Sequence, residues 1–226
     1  MKKILLPILL ILVLSFGYSC STLRSLYTLN ETDAASAIRQ LLSLGARDKN
    51  LSGAFSKENI LATLFPEPVH NVLNTLNTLG LTNEIDRFTT TLSTAAEKSA
   101  TASIPIFENS ISNLKFSDAI RIVKSGGTAA TDYLRTSAGD SLRSSIRPVM
   151  QSALDEYKLN EEWNKLVGPA KAIAGNKLNL DLATLMAGAV SEAMFRKIAE
   201  KEALVRKDAS ARSTLLLQKV FGAVTQ

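Results

Sequence analysis

Apolar residues recur at three- and four-residue intervals along nearly the whole chain beyond residue 30, and no stretch keeps the strict apolar-polar alternation of a half-buried strand. A chain patterned this way can bury its stripes only by packing helix on helix. The expectation is an all-α fold, one compact multi-helix domain over residues 30–226. Asn30 or Thr32 is placed to cap a first helix with Ala34, Ile38, Leu41, Leu42 and Leu44 on its apolar line, and Gly45 or Gly53 to stop it. Phe65-Pro66-Glu67-Pro68 breaks the chain, and Val69, Val72, Leu73 and Leu76 form a stripe ending at Gly80. Thr82 or Asn83 caps the next helix, whose face of Ile85, Phe88, Leu92 and Ala96 is continued by Ile104, Phe107, Ile111 and Leu114, with a kink or restart at Pro105.

Further along, Ser117-Asp118 opens a short helix through Ile120 and Val123 that ends at Gly126-Gly127, and Thr128 caps another. Ser137 and Asp140 have capping-box spacing before the stripe Leu142, Ile146, Val149, Met150 and Leu154, which Pro148 is expected to bend. Asn160 precedes Glu161-Glu162-Trp163 as a cap, Gly168-Pro169 is a break and Gly175-Asn176 a loop. A long helix from Leu180 to about Lys207 and a short one from Ser210 to Phe221 complete the chain.

The amino terminus is of another kind. Lys2 and Lys3 precede an apolar run from Ile4 to Phe16, interrupted only by Pro7 and Ser15, with small residues at Gly17 and Ser19. This is the layout of a secretory signal over residues 1–19, and the run is well short of the roughly 20 residues that span a bilayer. Cys20, the single cysteine, follows at once. Gly17-Tyr18-Ser19-Cys20 resembles the Leu-small-small-Cys signal of bacterial lipoproteins, departing from it at Gly17 and Tyr18. An exported chain with one unpaired thiol is chemically odd unless that thiol is used, and acylation of Cys20 uses it. Residues 20–29 then form an acylated tether, and Ser21 after the cysteine resembles the signal that sends enterobacterial lipoproteins to the outer membrane, on its periplasmic face, a signal that some other lineages sort differently.

Cleavage before Cys20 removes 19 of the 226 residues and leaves 207, and loss of Lys2 and Lys3 takes the formal charge from +5 to +3. Lys197, Arg206 and Lys219 alternate with Glu192, Glu200 and Glu202, which reads as a solvated helix surface and not as a nucleic-acid-binding block. His70 is the single histidine, so zinc sites and histidine-based nucleophile arrangements lack their usual members, and no Gly-x-Ser-x-Gly elbow surrounds a serine. Neither a cofactor nor a metal is implied.

A family resemblance covers most of the mature chain. Ala95-Ala96-Glu97-Lys98, Ile106-Phe107 with Ile111, Asp118-Ala119, Ala129-Ala130-Thr131-Asp132-Tyr133-Leu134, Pro148 with Leu154, and the segments Phe195 to Arg206 and Leu215 to Gly222 together resemble domain of unknown function 4197. The resemblance implies one helical domain in an exported bacterial protein and carries no catalytic residues. The leading expectation is a lipid-anchored, non-catalytic module that binds an envelope protein, another envelope component or an apolar ligand. The alternative is a carboxylate-dependent periplasmic enzyme with Glu97 as acid or base, assisted by Asp118, Tyr133 or Arg135, or a carrier that shelters an apolar ligand between its helices. Glu97 lies about 180° from Phe88 on the helix wheel, but within roughly 20° and 80° of Ile104 and Phe107 if the helix runs on. That geometry would bury it partly where the two stripes meet; the residue is read as a solvated or ion-paired glutamate or, as the functional alternative, as one in a cleft with Arg121, Tyr133 or Arg135.

Overall fold

The computed structural model describes residues 27–48, 54–60, 71, 74, 75, 77, 78, 80, 82–174 and 181–224. The signal, Cys20 and the tether up to residue 26, the Phe65–Pro68 break, the stripe residues Val69, Val72, Leu73 and Leu76 with His70, and the Gly175-Asn176 loop lie outside them. Every regular element among the described residues is helical. In chain order the helices are α1 (Glu31–Ala46), α2 (Thr82–Ser112), α3 (Ala119–Lys124), α4 (Ala129–Glu156), α5 (Leu159–Ala174), α6 (Leu182–Lys207) and α7 (Leu215–Gly222), with single turns at Lys57–Asn59 and Ala209–Ala211.

Helix α6 is the hub. It packs chiefly against α4 and α1, and also meets α2 and α7, while α2 packs along α4 and α5 closes over both. Burial of Leu182, Met186, Val190, Met194, Phe195, Ile198 and Val205, with alanines between them, gives α6 more than one apolar face, as a helix surrounded by others requires. Phe107 of α2 meets Phe195 of α6 edge to face, ring centres 5.4 Å apart, and Phe88 stacks on Trp163 of α5 at 5.7 Å. Each such ring contributes on the order of 2–3 kcal/mol by leaving water.

Gly45 is not a helix stop. It lies inside α1, where a Cβ would come within 2.6 Å of the Ile198 Cα, so the missing side chain is what lets the α1 and α6 backbones cross this closely. The stop comes one residue after Ala46, and Asn30 is the amino-terminal cap, accepting the Asp33 N–H at 2.8 Å.

The expected break at Gly168-Pro169 is continuous helix, and so are the positions where the sequence predicts a kink or restart (Pro105) and a bend (Pro148). α2 runs through Pro105, α4 through Pro148, and α5 through Gly168-Pro169. Pro105 and Pro148 are exposed, as are Thr101 and Ser144, whose carbonyls the proline rings deprive of a hydrogen bond. Water can satisfy those groups, which lowers the cost of an interior proline. No helix starts at Ser137 either, because α4 is already formed from Ala129; Asp140 instead pairs with Arg143 one turn on. Likewise α5 begins at Leu159, and the Asn160 amide donates to Asp155. The turns at Asp118 and at Gly126-Gly127 are where the residues place them. Asp118 accepts the Arg121 N–H at 2.9 Å, and both glycines have positive φ, 74° and 55°.

Candidate functional site

The expected site residues do not converge. Glu97 is exposed on α2. The buried face of that helix passes from Leu92 through Ala96, Ser99, Ala100 and Ser103 to Phe107, roughly 110° around from Glu97. The Ser99 and Ser103 hydroxyls donate to the carbonyls of Ala95 and Ser99 at 2.8 and 2.7 Å, which lets them lie in the core where an apolar pattern overlooks them. Asp118 caps α3 and accepts the Arg121 Nε–H at 3.0 Å, an exposed pair within one turn. Arg135 pairs with Glu192 and lies over the Phe195 ring, 4.5 Å from its centre. Tyr133 donates its hydroxyl to the Lys115 carbonyl at 2.6 Å and stacks on Phe116 at 5.4 Å. Apart from Asp118 with Arg121, none of these five is paired with another.

Two polar arrangements were not visible as sites in the sequence. The first centres on Glu202, which is 0% exposed and so is not the surface charge its neighbours implied. Its carboxylate accepts the Ala130 N–H at 2.9 Å, the Thr131 N–H at 2.7 Å and the Thr131 hydroxyl at 2.6 Å. It therefore caps α4 from another helix, where Thr128 makes no side-chain cap of its own. Arg206, one turn on, donates to the same carboxylate at 2.7 and 2.9 Å and to the Val123 and Ile122 carbonyls that end α3 at 2.7 and 3.1 Å. One ion pair thus closes the end of α3 and the start of α4.

The same device recurs elsewhere. Glu31 of α1 accepts the Ala119 N–H of α3 at 2.7 Å, and buried Arg212 donates to the Val205 and Arg206 carbonyls at the end of α6, both at 3.0 Å. These groups are matched donor to acceptor, so they hold the helices together and leave no hand for a ligand.

The second arrangement is an open groove of about 360 Å³. One wall is α1, through Arg39, Gln40, Ser43, Leu44 and Arg47; the other is Ile111 and Ser112 at the end of α2, with Thr214 at the head of α7. Arg39, Ser43 and Arg47 follow at four-residue steps and share one face. Arg39 is held firmly: Nη2 donates to the Leu114 carbonyl at 2.7 Å, and the guanidinium lies 5.0 Å from the centre of the Phe116 ring. Tyr133 orders the far side of Phe116, which gives that motif residue a supporting role beside the groove. The Arg39 Nε–H is buried without a hydrogen-bond partner. Arg47 pairs with Glu108, and its side chain is 67% exposed.

A second depression, about 330 Å³ between α4 and α6, is lined by Asp140, Arg143, Ser144, Arg147, Thr184 and Ala187. Its charges are spent on one another: Arg147 donates to Asp181 at 2.8 Å and to Thr184 at 2.9 Å, and Arg143 pairs with Asp140. Burial pushes the Asp181 carboxyl up, but the Thr184 and Arg147 hydrogen bonds and the Arg147 charge outweigh it and hold its pKa below the ordinary value. With no acid in its lining, the Arg39 groove is the better candidate for binding.

Among the described residues no cluster of three or more His, Cys, Asp or Glu side chains is placed to hold a metal ion. No curated protein and no solved structure matches the chain. A family model does match, over residues 28–222, and by it the chain belongs to the family described as Protein of unknown function (DUF4197).

Proposed function

We propose that this protein is an exported, lipid-anchored helical binding module of the bacterial envelope. In this reading Cys20 is acylated, the chain is held at the periplasmic face of the outer membrane, and the Arg39 groove contacts an envelope component. The observation that carries it is the groove: two arginines, one of them fixed by Leu114 and Phe116, between walls that carry apolar Leu44 and Ile111. Binding sites combine apolar walls with a few oriented polar groups in this way. The reading is further supported by how the charged groups outside the groove are used, since they cap helices and pair with each other.

The test is a pull-down from detergent-solubilised envelopes with the anchor intact, analysed for proteins and lipids, comparing the native chain with Ser43→Glu. Position 43 lies between the two arginines, and a carboxylate there neutralises the groove while suiting a helix. The expected result is an envelope component retained by the native chain and lost from the variant. Identical captures would overturn the groove as the binding site.

A further inference from the structure

We infer that the occupant of the Arg39 groove is an anionic amphiphile, a molecule with an oxyanion head on an aliphatic body; this rests on the binding reading above. The head is indicated by charge and geometry together. Arg39 lines the groove, spends Nη2 on Leu114 and is fixed against Phe116. A guanidinium is a rigid fork that suits phosphate or carboxylate oxygens, and one already oriented loses little freedom on binding. Arg47 lies two turns away, roughly 12 Å along the helix axis, and adds positive potential from the other end. Its exposed pairing with Glu108 is of a kind that exchanges at small cost.

The body is indicated by size and floor. A volume of about 360 Å³ is some ten times the roughly 30 Å³ a water molecule occupies in the liquid, so a bare inorganic anion would leave most of the groove filled with water over Leu44 and Ile111. Leu215, next in the chain to Thr214 of the far wall, is the most exposed large apolar residue described, at 74%. An aliphatic chain laid from the groove toward Leu215 would cover apolar surface that is otherwise wet.

The experiment uses the full mature chain and measures affinity for three probes, each below its micelle concentration where it has one: dodecyl phosphate, dodecyl maltoside and inorganic phosphate. Dodecyl phosphate should bind at least tenfold more tightly than either of the others. Ser43→Glu should weaken it tenfold or more at an unchanged melting temperature; if that variant does not fold, Arg47→Gln, at an exposed position, should weaken it about threefold. Inorganic phosphate binding as tightly as dodecyl phosphate would reduce the groove to a simple anion site, and equal binding of the maltoside would reduce it to an apolar one. Either result overturns the inference, as does no binding of dodecyl phosphate or an affinity that Ser43→Glu and Arg47→Gln leave unchanged. If the pull-down still retains a component that depends on Ser43 while dodecyl phosphate fails to bind, the inference falls and the binding reading stands.

Discussion

The Glu202 carboxylate of α6 accepts both the backbone N–H and the hydroxyl of Thr131, at 2.7 and 2.6 Å, in the first turn of α4, 71 residues away in the chain. A helix amino terminus exposes unpaired N–H groups and a partial positive charge, and a buried carboxylate is costly unless it finds such partners. Each solves the problem of the other. Arg206 donates to the other carboxylate oxygen, which also accepts the Ala130 N–H, so both oxygens have donors.

Removing that carboxylate should therefore cost more than any surface change. Glu202→Ala is expected to destabilise the domain by about 3–5 kcal/mol, since it strands Arg206 and two N–H groups at once. Thr131→Val keeps the shape and loses only the hydroxyl, and should cost about 1–2 kcal/mol. Denaturant melts of the two variants check the order. Equal stability of Glu202→Ala and the native chain would show that the cluster does not hold α3, α4 and α6 together.

Gly45 tests the closest helix crossing. Alanine has the higher helix propensity, by about 1 kcal/mol, so in an isolated helix Gly45→Ala would stabilise. Here the new Cβ would lie 2.6 Å from the Ile198 Cα, a backbone atom that cannot move aside alone. The expected outcome is net destabilisation of about 1–3 kcal/mol, not rescued by Ile198→Ala because the clash is with the main chain. A variant as stable as the native chain would mean that α1 and α6 cross at a greater distance.

How much of this was legible before the structure depends on how local the signal is. Asn30, Asp118 and Gly126-Gly127 act within one turn of their own positions, and their chemistry can be read from the residues alone. Whether a helix runs on through a proline is not legible locally, because the side the freed carbonyl faces is set by packing. Glu202 did leave a trace. Phe195, Ile198, Glu202 and Val205 follow at steps of three, four and three, so the glutamate occupies a position in the apolar stripe, with Arg206 one turn on as its counter-ion. The groove left none, because its walls come from residues 39–47, 111–112 and 214, which only the fold brings together.

Tyr27 gives a pH test. Its hydroxyl donates to Asp33 at 2.8 Å, and burial first, then that hydrogen bond and the nearby negative charge, push its pKa from the ordinary 10.0 up to about 12. A tyrosine is charged above its pKa, so the raised value means that the fold favours the neutral phenol. The stabilisation is complete below pH 10 and is lost as the pH rises toward about 12. In an ultraviolet titration of phenolate absorbance, Tyr27→Phe should remove a transition centred near pH 12. Loss of one near pH 10 instead would contradict the contact with Asp33.

The last expectation concerns the anchor. Among the described residues no helix is long and apolar enough to cross a membrane. In the proposed reading the attachment is the acylated Cys20. One acyl chain gives marginal, reversible binding, whereas two or three on one cysteine hold firmly, each buried methylene contributing about 0.8 kcal/mol. The native chain should therefore resist extraction by high salt and yield to detergent. Cys20→Ala should appear in the soluble fraction or accumulate with its signal uncleaved, because the attachment point is gone. A Cys20→Ala variant that is cleaved normally and still sediments with membranes would sink the lipoprotein reading and move the membrane contact onto the helical domain, where the exposed Leu215 beside the Arg39 groove would be the first place to look.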